Sequence, residues 1–176
     1  MLHLGNAGID HLGFWRDFKN HAELNRLIEK YKLRTVPDDF NVVVHSVAKR
    51  WMKLADVHLK DAKMSCSLEC RRTFYSRAYY AVYSASKSVR YIAKGFVSDK
   101  GDDHQKVSDL PVDFPDYQKW GSFLRNMYKN RLVADYDGWT YSKRSLNADL
   151  ALVFKESRAF VRTAKNYLRA NHGIAL

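Results

Sequence analysis

The chain has 176 residues, of which 30 are Lys or Arg and 19 are Asp or Glu, for a formal net charge of +11; 46% of its residues are hydrophobic. That composition excludes a disordered polycation, and the length is enough to bury a core without a disulfide or a metal. No apolar run reaches the roughly 18 residues of a membrane span, and Met1-Leu2-His3-Leu4-Gly5 has no charged start leading into an apolar stretch, so the expectation is a cytoplasmic protein that does not enter a membrane.

Prolines occur only at positions 37, 111 and 115, and no glycine falls between 14 and 94 or between 139 and 172. Long stretches without breakers predict long helices. The first runs from about His11 to Lys32, with Asp10 as its N-cap and a stripe of Phe14, Phe18, Leu24, Ile28 and Tyr31. After Pro37 a second spans about Asp39 to Lys63, with Val43, Val47, Trp51, Leu54, Val57 and Met64 as its apolar row. The third runs from about Leu68 to Lys94 and stops at Gly95. Its row of Phe74, Ala78, Ala81, Val82, Ala85, Val89 and Ile92 is mostly small, which lets a neighbouring helix approach closely. Tyr75, Tyr79 and Tyr83 lie beside that row at steps of four.

Residues 96–115 read as a connection, with one helical turn expected at about His104–Leu110. A fourth helix starts near Asp116 and ends before Gly138, with Trp120, Leu124, Met127, Arg131 and Ala134 in its row. A fifth runs from about Ser145 to Asn171, stopped by Gly173, with Leu150, Val153, Phe154, Val161, Ala164 and Leu168 inward. No run compels a strand; Phe40–Val44 comes nearest. The expected fold is therefore all-α: an antiparallel four- to five-helix bundle over 41–176 with an N-terminal helical extension over 1–40.

Cys66 and Cys70 are four apart, which predicts two small buried residues on one helix face, unsuited to a disulfide. His45 and His58 add no zinc spacing, so neither a metal nor another cofactor is expected. The charge is segregated. Residues 1–45 are neutral, 46–95 carry eleven basic against three acidic residues, 96–116 carry two against six, and 117–176 carry eleven against four. Two basic regions flank an acidic loop, and the natural partner of such a surface is acidic.

Arg131 falls in the apolar row of the fourth helix, where a guanidinium is costly unless paired. Asp135, one turn on, can pair with it, and Tyr136 and Asp137 follow. The cluster is either an inward salt bridge fixing helix register or a polar site holding a phosphate or a scissile bond. Arg77 is a second inward candidate, with Arg71 and Arg72 one to two turns earlier; arginines interleaved with tyrosines can grip a nucleic-acid backbone and stack on unpaired bases. Lys155, Arg158, Arg162, Lys165 and Arg169 form a basic stripe on the fifth helix, either a solvated face or a track for phosphates. His104, in Asp102-Asp103-His104-Gln105-Lys106, is a candidate general acid or base. There is no Gly-rich phosphate loop, Ser–His–Asp signature or His-Glu-x-x-His.

Ser76-Arg77-Ala78-Tyr79-Tyr80-Ala81-Val82-Tyr83-Ser84-Ala85 resembles the central helix of the HEPN superfamily, with its Arg-x-Tyr-Tyr-Ala core. Arg131-Leu132-Val133-Ala134-Asp135-Tyr136 resembles that family's later signature in its Arg-x-x-Ala-Asp-Tyr variant, and His104 falls in the intervening loop, where many relatives have a histidine. The resemblance covers about residues 41–170. It implies a dimerising helical bundle from a prokaryotic defence or toxin–antitoxin system, often paired with a nucleotidyltransferase or an antitoxin. Many members are metal-independent endoribonucleases. Against their Arg-Asn-Arg-x-x-His-x-Tyr string, Lys129 takes the first arginine position and Asn130, Arg131 and Tyr136 match, while Ala134 takes the histidine position. Two readings follow. The chain is a ribonuclease using Arg131, His104, Tyr136 and Asp135, or a non-catalytic module. As a module it binds RNA through Arg77, Arg72, Lys129, Arg158, Arg162 and Lys165, binds a nucleotide, or docks a partner protein.

Overall fold

The computed structural model describes residues 26, 37–68, 70–95, 97, 101–136, 146 and 148–176. The helix expected over 11–32 lies outside the described residues apart from Arg26, which is helical. Among the described residues the fold is an all-α bundle with no strand, and Phe40–Val44 is helical.

Helix α1 spans Pro37–Ser67, so it runs through the expected boundary between residues 40 and 41. Proline suits a first helical position, where its missing N–H would have had no partner. Helix α2 spans Arg71–Lys94 and ends on Gly95, whose φ of 76° is left-handed and whose N–H donates to the Tyr91 carbonyl. A 3-10 helix, Gly101–Lys106, follows. Helix α3 spans Tyr117–Tyr136. Helix α4 spans Leu150–His172; the Asp149 carboxylate caps its start by accepting from the Ala151 N–H, and Gly173, at φ 65°, closes it.

Helix α2 is the centre: it packs against α1, α3 and α4, and α1 also packs against α4. From Ala81 to Tyr91 every residue of α2 is buried, polar ones included. A helix buried on all sides must satisfy its polar side chains internally. Ser86 donates to the Val107 carbonyl at 2.6 Å, Ser88 donates to the Ala48 carbonyl at 2.9 Å, and Arg90 pairs with Asp103. The first and last of these bonds tie the acidic loop to α2.

The rows expected on α2, α3 and α4 are buried or partly buried as the periodicity predicts, Arg131 included. The row on α1 is corrected. Val44, Ala48, Met52, Ala55 and Ala62 face the core, while Leu54, Val57 and Met64 are exposed. The alanines of α1 and α2 join one core cluster, and small side chains permit closer helix packing than the larger apolar ones would. The two cysteines are also corrected. Cys66 lies in the last turn of α1, partly buried, but Cys70 is the exposed N-cap residue of α2, so the chain turns between them; both thiols are free.

Candidate functional site

Tyr79, Tyr80 and Tyr83 on α2 form an aromatic wall between α3 and the 3-10 helix. Tyr79 is fully buried and Tyr83 nearly so. Their rings stack or meet edge to face, with centroids 5.5 Å apart for Tyr79–Tyr80 and 5.8 Å for Tyr79–Tyr83, and Tyr128 of α3 adds a fourth ring at 5.9 Å from Tyr79. Burial pushes the Tyr79 and Tyr83 hydroxyls well above the usual phenol range, so both stay protonated.

Arg131 enters this wall from α3 and is only 8% exposed. Its Nη2 donates to the Tyr80 hydroxyl at 2.8 Å and to the Tyr136 hydroxyl at 3.1 Å. Its Nε stands 2.7 Å from Asp135 Oδ2. That contact is an ion pair rather than an aligned hydrogen bond, because the Nε–H finds no well-directed acceptor among the described residues. The guanidinium carbon lies 4.9 Å from the Tyr136 ring, 5.4 Å from Tyr80 and 5.9 Å from Tyr79, a cage of three cation–π contacts. Burial alone would weaken the charge on Arg131, but the hydrogen bond to Tyr80 and the Asp135 carboxylate outweigh it and leave the cation reinforced.

His104 meets the same wall from the other side of the sequence. Its Nδ1 is 2.8 Å from the Tyr79 hydroxyl, and its ring stacks on Tyr83 at 4.4 Å and 26°. Desolvation, then the nearby Arg131 charge, push its pKa below the ordinary histidine value, so His104 is neutral at pH 7. The preceding residue anchors it. Asp103 is 2% exposed, takes two hydrogen bonds from Arg90 at 2.8 and 3.0 Å, and accepts from the Tyr83 hydroxyl at 2.7 Å. Lys87 lies 3.6 Å from the same carboxylate and 4.5 Å from the Trp51 ring. Burial alone would raise the Asp103 pKa, but the Arg90 and Tyr83 hydrogen bonds hold it at about 2.

Of the expected site residues, Arg131, Asp135, Tyr136 and His104 thus share one cluster. Arg77 does not point inward: it is exposed on α2, where its charge helps depress His58. Arg72 bonds the Ala134 carbonyl at 2.7 Å, tying the start of α2 to the end of α3, and Arg71 bonds the carbonyls of Leu146 and Ala148. Lys129, Arg158 and Arg162 are exposed. Lys165 is taken up by Asp56, 2.7 Å away on α1. The residues that periodicity did not single out are Tyr80, Lys87, Arg90 and Asp103. The available signal was the pair of cations, Lys87 and Arg90, lying inside a row of alanines and serines, a placement that demands a buried carboxylate.

His104 and Arg131 together offer N–H donors beside protonated phenols, an arrangement suited to an anion such as a phosphate. No group of three or more potential metal ligands occurs among the described residues, and no described helix is long and apolar enough to cross a membrane. No family model, characterised protein or solved structure matches the chain.

Proposed function

We propose that this is a HEPN-like protein that binds RNA, with a backbone phosphate received by Arg131 and His104. One observation carries the reading: a reinforced arginine from α3 and a neutral histidine from the acidic loop meet on a single wall of α2 tyrosines. Among the described residues both hydrogen bonds of Arg131 run through Nη2, so Nη1 is the atom that would meet a ligand. His104, with its Nδ1 engaged by Tyr79, presents Nε2. The exposed cations Arg158, Arg162 and Lys129 supply the longer-range attraction that the +11 charge implies. The motif resemblance adds the setting: a prokaryotic defence or toxin–antitoxin system, a cytoplasmic homodimer, and a nucleotidyltransferase or antitoxin as protein partner.

Binding is favoured over cleavage by two features of the site. Ala134 stands where ribonuclease relatives carry a histidine and has no proton to transfer. The Tyr79 hydroxyl, donating to Nδ1, leaves the proton of neutral His104 on Nε2, where the ring then has no lone pair with which to act as a base. In metal-free cleavage the 2′-oxygen attacks phosphorus and loses its proton to a base, while the bond to the 5′-oxygen breaks and that oxygen takes up a proton. His104 is such a base only when its proton sits on Nδ1.

The test is fluorescence anisotropy with labelled RNA across a salt series, together with incubation of RNA and protein in chelator. Expected are binding that weakens steeply with salt, further weakening in Arg131→Ala, His104→Ala and the charge reversals Arg158→Glu and Arg162→Glu, and intact RNA. Metal-free cleavage abolished by Arg131→Ala and His104→Ala would replace binding with the ribonuclease reading. RNA left unbound at low salt would overturn both.

A further inference from the structure

Tyr136 is the last residue of α3 and the one member of the Arg131 cage that faces solvent, at 70% exposed. An exposed tyrosine on a helix end ordinarily samples several rotamers. This one is pinned twice. Its hydroxyl accepts from Arg131 Nη2 at 3.1 Å, and its ring packs on the guanidinium at 4.9 Å. Arg131 is in turn fixed by Tyr80 at 2.8 Å and by Asp135 at 2.7 Å. The result is a flat aromatic surface, held rigid from behind by a buried cation and open in front.

We propose that Tyr136 is a stacking platform for one unpaired nucleobase. The inference rests on the RNA-binding reading and deepens it by naming what lies beside the bound phosphate. The ordering cost that a mobile side chain would incur on binding is already met by the protein's own contacts. The cation behind the ring draws electron density toward itself, which suits the outer face to an electron-rich base. Stacking accepts any base, so the platform confers a preference for unpaired over paired RNA rather than for a sequence. A base inside a duplex cannot present its face to Tyr136 without leaving the stack.

The test uses the full chain and a short single-stranded RNA carrying 2-aminopurine at successive positions, alongside its duplex and an abasic version. Wild type is expected to change the fluorescence at one position and to prefer the single strand to the duplex. Tyr136→Ala is expected to bind the single strand about 5- to 100-fold more weakly, as loss of one stacked base implies. Its affinity for the duplex should fall less, because the duplex loses only the contact that Tyr136 makes with Arg131 and no stacked base. Tyr136→Phe keeps the ring and should retain most of the preference, which separates stacking from a folding defect; unchanged circular dichroism serves as the fold control. Equal binding of single strand, duplex and abasic RNA by wild type and Tyr136→Ala would overturn the platform while leaving RNA binding intact. Wild type that binds no RNA would overturn both. Wild-type affinity for RNA coupled with Tyr136→Ala losing only a protein partner would reassign the ring to protein docking and overturn the platform.

Discussion

The Tyr79 hydroxyl lies 2.8 Å from Nδ1 of His104, and His104 is the one partner that hydroxyl meets among the described residues. Tyr79 is fully buried, so an undonated O–H there would cost about 1–3 kcal/mol. Tyr79 therefore donates, Nδ1 accepts, and neutral His104 carries its proton on Nε2. Nitrogen-15 NMR of labelled histidine is expected to report His104 as the Nε2–H tautomer at neutral pH. Tyr79→Phe removes the donor and should let the two tautomers mix. An Nδ1–H signal in the wild type would contradict this assignment and return His104 to the role of a base.

The histidines also make stability depend on pH. His45, His58 and His104 are all held below the ordinary histidine value of 6.5, chiefly by burial. Below pH 6.5 the unfolded chain takes up protons that the folded chain resists, so the unfolded state binds more protons and stability falls as pH falls. Urea denaturation is expected to show lower stability at pH 5.5 than at pH 7.5. His104→Gln, which cannot titrate, should flatten part of that slope. Stability that rises on acidification would show that the histidines gain protons on folding instead.

Asp103 gives a second and lower pH window. Its folded pKa of about 2 lies below the ordinary 3.8, so its contribution is complete above pH 3.8 and is lost as pH falls toward 2. Asp103→Asn keeps the shape but strips Arg90, 3% exposed, of its charged partner. Breaking a buried pair in this way costs about 3–5 kcal/mol. Because Asp103 also receives the Tyr83 hydroxyl, the variant should loosen the 3-10 helix that carries His104. Faster hydrogen exchange over residues 101–107 than in α4 would register this, and uniform exchange would not.

Much of the fold was legible because three helices obey a simple period. Trp120, Leu124, Met127, Arg131 and Ala134 are buried together, and glycines 95 and 173 stop their helices where a left-handed residue is needed. The Arg131–Asp135 pair follows from one-turn spacing alone. On α1 the rule of burying the largest apolar residues fails, because Ala48, Ala55 and Ala62 pack inward and leave Val57 and Met64 outside. The meeting of His104 with Tyr79 was not legible either. It depends on where the loop docks, and that is set by Arg90 and Asp103: the small residues around Arg90 call for a buried carboxylate, but no helical period says that Asp103 of the loop supplies it.

Replacing Arg131 tests how much the caged cation contributes to the fold. Among the described residues Arg131→Ala removes two hydrogen bonds, one ion pair and three cation–π contacts, and takes from the Tyr80 hydroxyl the donor that it has there. Asp135 is partly solvated, so the lost pair costs less than one in a dry core. A net loss of about 2–3 kcal/mol is expected, read as a lower urea midpoint with an unchanged slope. Arg131→Lys keeps the charge but has no planar fork to span Tyr80 and Tyr136, so it should recover less than half of that loss. A double-mutant cycle of Arg131→Ala with Tyr80→Phe, which keeps the ring, isolates the 2.8 Å bond and should return a coupling of about 1–2 kcal/mol. Strict additivity of the two changes would mean that the hydrogen bond contributes nothing and that packing against the rings alone retains Arg131 in the core.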